Sequence, residues 1–117
     1  MKKTLFITFV SVWFAFSLTV IAGCKKTDPG TPGKNEVFLQ YKTFNPTQLK
    51  VQIGTTVTFI NKDNANHTAT ANSKLFDSGK IESGKSYSYT FSNAGTYYFY
   101  CNYHSSVSQE QGVVIVQ

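Results

Sequence analysis

Apolar and polar residues alternate with period two along several stretches of the chain after residue 36. VFLQY (37–41), LKVQI (49–53), TVTFI (56–60), SYSYTF (86–91), TYYFYC (96–101) and VVIVQ (113–117) are rich in Val, Ile, Thr, Tyr and Phe. Such runs are read as half-buried strands. In LKVQI the apolar set is Leu49, Val51 and Ile53; in TVTFI it is Val57 and Phe59. Gly54, Gly79, Gly84, Gly95 and Gly112 punctuate the runs, and Asn-Lys-Asp-Asn at 61–64 makes a polar loop. No stretch of this region carries a helical period. The spacing predicts an all-β, two-sheet sandwich, with the aromatics of the late strands, Tyr97, Tyr98 and Tyr100 among them, mostly in core and cross-strand packing.

The first third follows a different pattern. Lys2 and Lys3 precede Leu5 to Ile21, an apolar run broken only by Thr and Ser. This predicts an export signal over residues 1–23. Ile21-Ala22-Gly23-Cys24 resembles a bacterial lipobox, which implies that Cys24 carries lipid and anchors the protein to a membrane. KKTDPGTPGKNE follows, with no apolar residue to bury. It predicts a flexible tether over 24–33 and a folded domain over 34–117.

Composition narrows the functions available. The net charge is +5, and within 34–117 seven lysines face five acidic residues, leaving +2. The lysines are scattered and there is no Arg. Nucleic acid would require a concentrated basic face. A domain of this size has only a marginal core, and no disulfide can brace it if Cys24 is lipidated, because Cys101 then has no partner. An exported protein with one leftover thiol calls for an explanation.

Cys101 closes the strand TYYFYC, His104 follows three residues later, and His67 leaves the loop after TVTFI. These are the only two histidines in the chain. Two imidazoles and one thiolate converging from separate loops, with a weak or absent fourth ligand, is the donor set of a blue-copper site. A rigid sandwich would hold that geometry in both Cu(II) and Cu(I) states.

Phe44 to Gln117 resembles a plastocyanin/amicyanin-type cupredoxin. The matching pieces are FNPTQLKVQIGTTVTFINKDNANHTAT, FDSGKIESGKSYSYTF and GTYYFYCNYH followed by GVVIV. The resemblance implies a cupredoxin-like Greek-key sandwich. It implies one copper ion bound by His67, Cys101 and His104, and single-electron exchange with protein partners of the cell envelope, at the periplasmic or exterior face. It implies an exit for the electron at the outer edge of His104, and a monomer. Lys62 is a candidate for orienting an acidic partner. Storage or delivery of copper, or an interaction module of cupredoxin shape, are the alternatives. Catalysis would need further histidines to hold more copper, and the chain has none.

Two departures from the family stand out. Met1 is the only methionine, so the axial methionine of the family is missing, and Tyr103 stands where relatives carry proline. The plastocyanin-type offset falls on Gln109, whose amide oxygen is the expected weak axial donor. The amicyanin-type offset falls on Val107, which offers none. Glu110 and Gln111 are within reach of the site if the longer loop SSVSQEQ turns inward.

Overall fold

The computed structural model describes residues 30–117. The expected export signal, Cys24 and the tether up to residue 29 lie outside the described residues. The domain is a sandwich of two four-stranded sheets with the Greek-key arrangement of the cupredoxins. One sheet has the order β2-β1-β4-β6 and the other β3-β8-β7-β5. The strands are β1 (Glu36–Gln40), β2 (Thr43–Asn45), β3 (Gln48–Val51), β4 (Thr56–Asn61), β5 (Thr70–Ala71), β6 (Ser86–Thr90), β7 (Gly95–Tyr100) and β8 (Gln111–Val116). β1 runs parallel to β4 and β3 parallel to β8; the remaining neighbours are antiparallel.

In β4 and β8 the alternation read from the sequence is the alternation of burial, whereas β1 buries Val37, Phe38 and Leu39 in a row. In β4, Val57, Phe59 and Asn61 face inward; in β8, Gly112, Val114 and Val116 do. Between the sheets, Phe99 stacks on Phe44 with ring centroids 5.5 Å apart and meets Phe59 edge-on at 5.1 Å. Such aromatic pairs add to the stabilisation that burial itself provides. Gly112 makes room for this arrangement. A Cβ there would lie 2.3 Å from Cζ of Phe99, its cross-strand partner, so no larger residue fits without moving the ring.

The structure adds two strands, β2 and β5, to the six expected. Both are too short to show periodicity, and each exists because a longer neighbour, β1 or β7, pairs with it. It also corrects the aromatic and apolar assignments. The third strand ends at Val51, so Ile53 falls in the following turn and is exposed. Tyr98 and Tyr103 are exposed and Tyr97 is partly buried against the core. Tyr98 lies on the outer face of β7, where a solvated aromatic satisfies strand propensity without entering the core.

Candidate metal centre

Two loops at one end of the sandwich build the site. The first joins β4 to β5 and is organised by Asn61, the last inward residue of β4. Its fully buried side chain donates from Nδ2 to the carbonyls of Ala65 (2.7 Å) and Ile81 (2.9 Å), and its Oδ1 accepts from the Asp63 amide (2.8 Å). Buried amides satisfied on both ends rigidify what they connect. His67, at the end of this loop, exchanges main-chain hydrogen bonds with Ile81 and is completely buried.

The second loop joins β7 to β8 and carries Cys101 at its start. Amide-to-carbonyl turn bonds link His104 to Cys101 (3.2 Å), Val107 to His104 (2.8 Å) and Glu110 to Val107 (3.0 Å). In turns of this kind residues three apart lie over one another. The same spacing brings Cys101, His104 and Glu110 to one side of the loop. Thr68 ties the two loops together: its amide donates to Cys101 Sγ at 3.4 Å and its hydroxyl accepts from the Asn102 amide at 2.8 Å.

The result is a cluster of four donor atoms, from His67, Cys101, His104 and Glu110, all within 4.8 Å of one another. Cys101 Sγ lies 3.5 Å from His104 Nδ1. Glu110 Oε2 lies 2.8 Å from His104 Nδ1 and 3.4 Å from His67 Nδ1. Ligands at about 2.0–2.3 Å from a tetrahedral ion are separated by about 3.3–3.8 Å, so small shifts seat an ion among these atoms.

A second observation points the same way. His67 Nε2 is 3.0 Å from Asp63 Oδ2, which makes Nε2 the protonated nitrogen and leaves a lone pair on Nδ1. The hydrogen bond from His67 is the largest influence on the Asp63 carboxyl and holds it below the usual carboxylate range. Nδ1 is the one buried side-chain polar atom without a hydrogen-bond partner among the described residues; its approach to Glu110 lacks hydrogen-bond geometry. An orphaned imidazole nitrogen aimed at a thiol and a carboxylate is what a soft-to-borderline metal ion satisfies. The donors present fit copper.

His67, Cys101 and His104 therefore come together as the sequence suggested. Gln109 does not join them. It is exposed, and its neighbour Glu110, 1 % exposed, stands at the cluster instead. Glu110 immediately precedes β8 and keeps the inward parity of Gly112, Val114 and Val116, whereas Gln109 lies in the turn before it. Lys62, the candidate partner-orienting residue, lays its ammonium 4.8 Å over the ring of Phe38.

A family model described as a cupredoxin-like domain matches residues 6–116. Among solved structures, a purple cupredoxin from Nitrosopumilus maritimus is 26% identical, covering 70% of this chain and 98% of that one, with a TM-score of 0.63. A methionine-to-alanine variant of amicyanin in the Cu(I) form is also 26% identical, covering 70% and 80%, with a TM-score of 0.61. A copper-containing nitrite reductase from Thermus scotoductus SA-01 shares the fold at 24% identity and a TM-score of 0.58, but this chain spans only 22% of it. Comparison with curated protein sequences gives no match. With a family model spanning nearly its whole length and a sandwich that overlays solved cupredoxins, the chain belongs to the cupredoxin-like domain family.

Proposed function

We propose that this protein is a type 1 copper electron carrier in which His67, Cys101 and His104 bind one copper ion. The observation that carries the reading is the convergence of Cys101 Sγ, His104 Nδ1 and the orphaned His67 Nδ1 from two braced loops. Bound copper would supply one-electron chemistry by alternating between Cu(II) and Cu(I). The chain's own residues do the rest. Asn61 braces the first loop and Thr68 ties that loop to the second, so the ligands need little rearrangement when the charge changes. The Thr68 amide directs a hydrogen bond at the sulfur, and Asp63 holds the tautomer of His67.

His104 is the outlet. Its side chain is 25 % exposed whereas that of His67 is sealed. Tyr41 contacts its ring edge-on at 6.1 Å, and Tyr41 and Tyr103 are both exposed apolar surface suited to a redox partner protein. The Cu(I) named for the amicyanin structure supports the choice of metal. Both histidines of the chain enter one cluster, which suits a carrier with a single copper.

The sequence before the domain supports an envelope location, with Cys24 lipidated and the tether 24–33 holding the domain off the membrane as a monomer. Fatty-acid labelling should be lost in Cys24→Ser; a Cys24→Ser protein that still takes up lipid would overturn that assignment. For the carrier role, anaerobic reductive titration of the copper-loaded chain should consume one electron per copper and reverse on oxidation. A site that takes copper but cannot be cycled contradicts it.

A further inference from the structure

We infer that Glu110 is the fourth ligand of this centre, an anionic one-oxygen donor whose second oxygen is held away by the Lys42 main-chain amide. The inference rests on the proposed metal site and adds what sets its preference among ions.

Three observations converge on it. Glu110 is buried, and a buried carboxylate needs a compensating positive charge. No lysine side chain supplies it; among the described residues the only basic side chains within ion-pair distance are the two imidazoles, and His67 turns its bare Nδ1 toward it. Its oxygens are also divided. Oε1 accepts the Lys42 N–H at 2.9 Å, whereas Oε2 faces Nδ1 of both imidazoles. One oxygen is therefore committed to the β1–β2 turn, and one is aimed into the cluster beside the orphaned His67 nitrogen.

The third observation concerns the turn itself. Lys42 adopts φ +66°, the left-handed region that side chains other than Gly, Asn and Asp seldom occupy. The fold keeps a lysine there with its amide on Glu110. That bond joins the two sheets at the site end, since Lys42 follows β1 and Glu110 precedes β8.

The consequence lies in charge. A thiolate and a carboxylate bring two negative charges into a buried place and balance a divalent ion. With a univalent ion the same donors leave one uncompensated negative charge, which burial penalises. A neutral donor such as methionine or glutamine would reverse that bias. The site should therefore favour Cu(II) over Cu(I), sit at a lower potential than the same site with a neutral fourth residue, and hold Zn(II) firmly.

The test uses the full-length chain and its Glu110→Gln variant, which keeps the shape and removes the charge. Zn(II) affinity, measured by chelator competition on the metal-free proteins, should fall at least about 10-fold, the loss that even an outer-shell partner produces. The copper potential should rise in the variant. Equal Zn(II) affinity and equal potential in the two proteins would overturn the inference. A measurement on the native chain covers the case of a variant that misfolds. The chain has three glutamates, Glu36, Glu82 and Glu110, and with their side-chain carboxyls labelled with carbon-13 the Glu110 resonance should move on Zn(II) loading. Three unmoved signals on a zinc-loaded chain would also overturn it. The two readings separate cleanly. A chain that binds zinc through Glu110 yet gives no blue Cu(II) form refutes the carrier, and a blue chain indifferent to Glu110→Gln refutes the ligand.

Discussion

The middle of the sandwich and the end that carries the His67–Cys101–His104–Glu110 cluster are built from the same strands with the same inward parity, yet different residue types fill them. Along β4 the inward positions run Val57, Phe59, then Asn61. Along β7 and beyond they run Phe99, then Cys101. Back along β8 they run Val114, Gly112, then Glu110. In the middle, the contents are interchangeable in kind, because burial and shape are what stabilise them. At the end, each buried group has an assigned partner: Asn61 two carbonyls, Cys101 an amide, His67 a carboxylate, Glu110 an amide and an imidazole. The difference teaches that one periodic pattern can deliver both a core and a ligand cage. What changes is whether the inward residue is chosen for volume or for lone pairs.

Substitutions in the two regions should therefore fail differently. The largest expected effect is in the middle. Phe99→Ala removes a ring shared by Phe44 and Phe59 and should cost about 3–5 kcal/mol in chemical denaturation. Gly112→Val, which drives methyl groups into that ring, should also destabilise the fold. A Gly112→Val protein as stable as wild type would show that the Phe99 ring is free to move and that the core is not close-packed there.

At the metal end the order reverses, with binding lost before stability. Asp63→Asn should weaken metal affinity by about 10–100-fold, since the amide no longer favours the Nε2–H tautomer of His67. The apo-protein offers a readout independent of metal: nitrogen-15 shifts should show His67 protonated at Nε2 in wild type and a mixed population in Asp63→Asn. Asp63→Glu, which restores the carboxylate, should recover part of the affinity. Unchanged tautomer and affinity in Asp63→Asn would reduce Asp63 to a surface loop residue.

The smallest expected effect sharpens the boundary of the cage. Gln109→Ala, at an exposed site one residue from Glu110, should leave potential, spectrum and stability within error, with a stability change under about 0.5 kcal/mol. A Gln109→Ala variant with an altered copper signal would restore the glutamine as a ligand and undo the parity argument.

Strand parity also marks how far the sequence could be read. The alternation of TVTFIN and GVVIV foretold which residues point inward, and the order of the runs placed Cys101 at a strand end with His67 and His104 in the neighbouring loops. β2 was not visible, although it delivers Phe44 to the core, because three residues carry no period and its pairing with β1 is a tertiary fact. Ile53 looked like core because the alternation continued past Val51; the turn at Gln52–Thr55, closed by the bond from the Thr55 amide to the Gln52 carbonyl, ends the strand first. At the fourth position the plastocyanin-type offset pointed to Gln109, which is exposed, whereas Glu110, which the longer loop also offered, is the residue buried beside the cluster. Offsets from relatives measure chain length, whereas the side chain's direction follows the parity of β8 and the three-residue turns after Cys101. The Lys42 amide, sixty-eight residues away from its acceptor, had no sequence signal at all.

The central claim is that this polar end binds copper through a thiolate. It is tested most directly by adding one equivalent of Cu(II) to the purified full-length chain and recording the visible spectrum beside that of Cys101→Ser. The account predicts an intense thiolate-to-copper charge-transfer absorption that saturates at one copper per chain and is absent from Cys101→Ser, which remains folded. A colourless wild type that binds no copper, or a Cys101→Ser protein with the same colour, would contradict it.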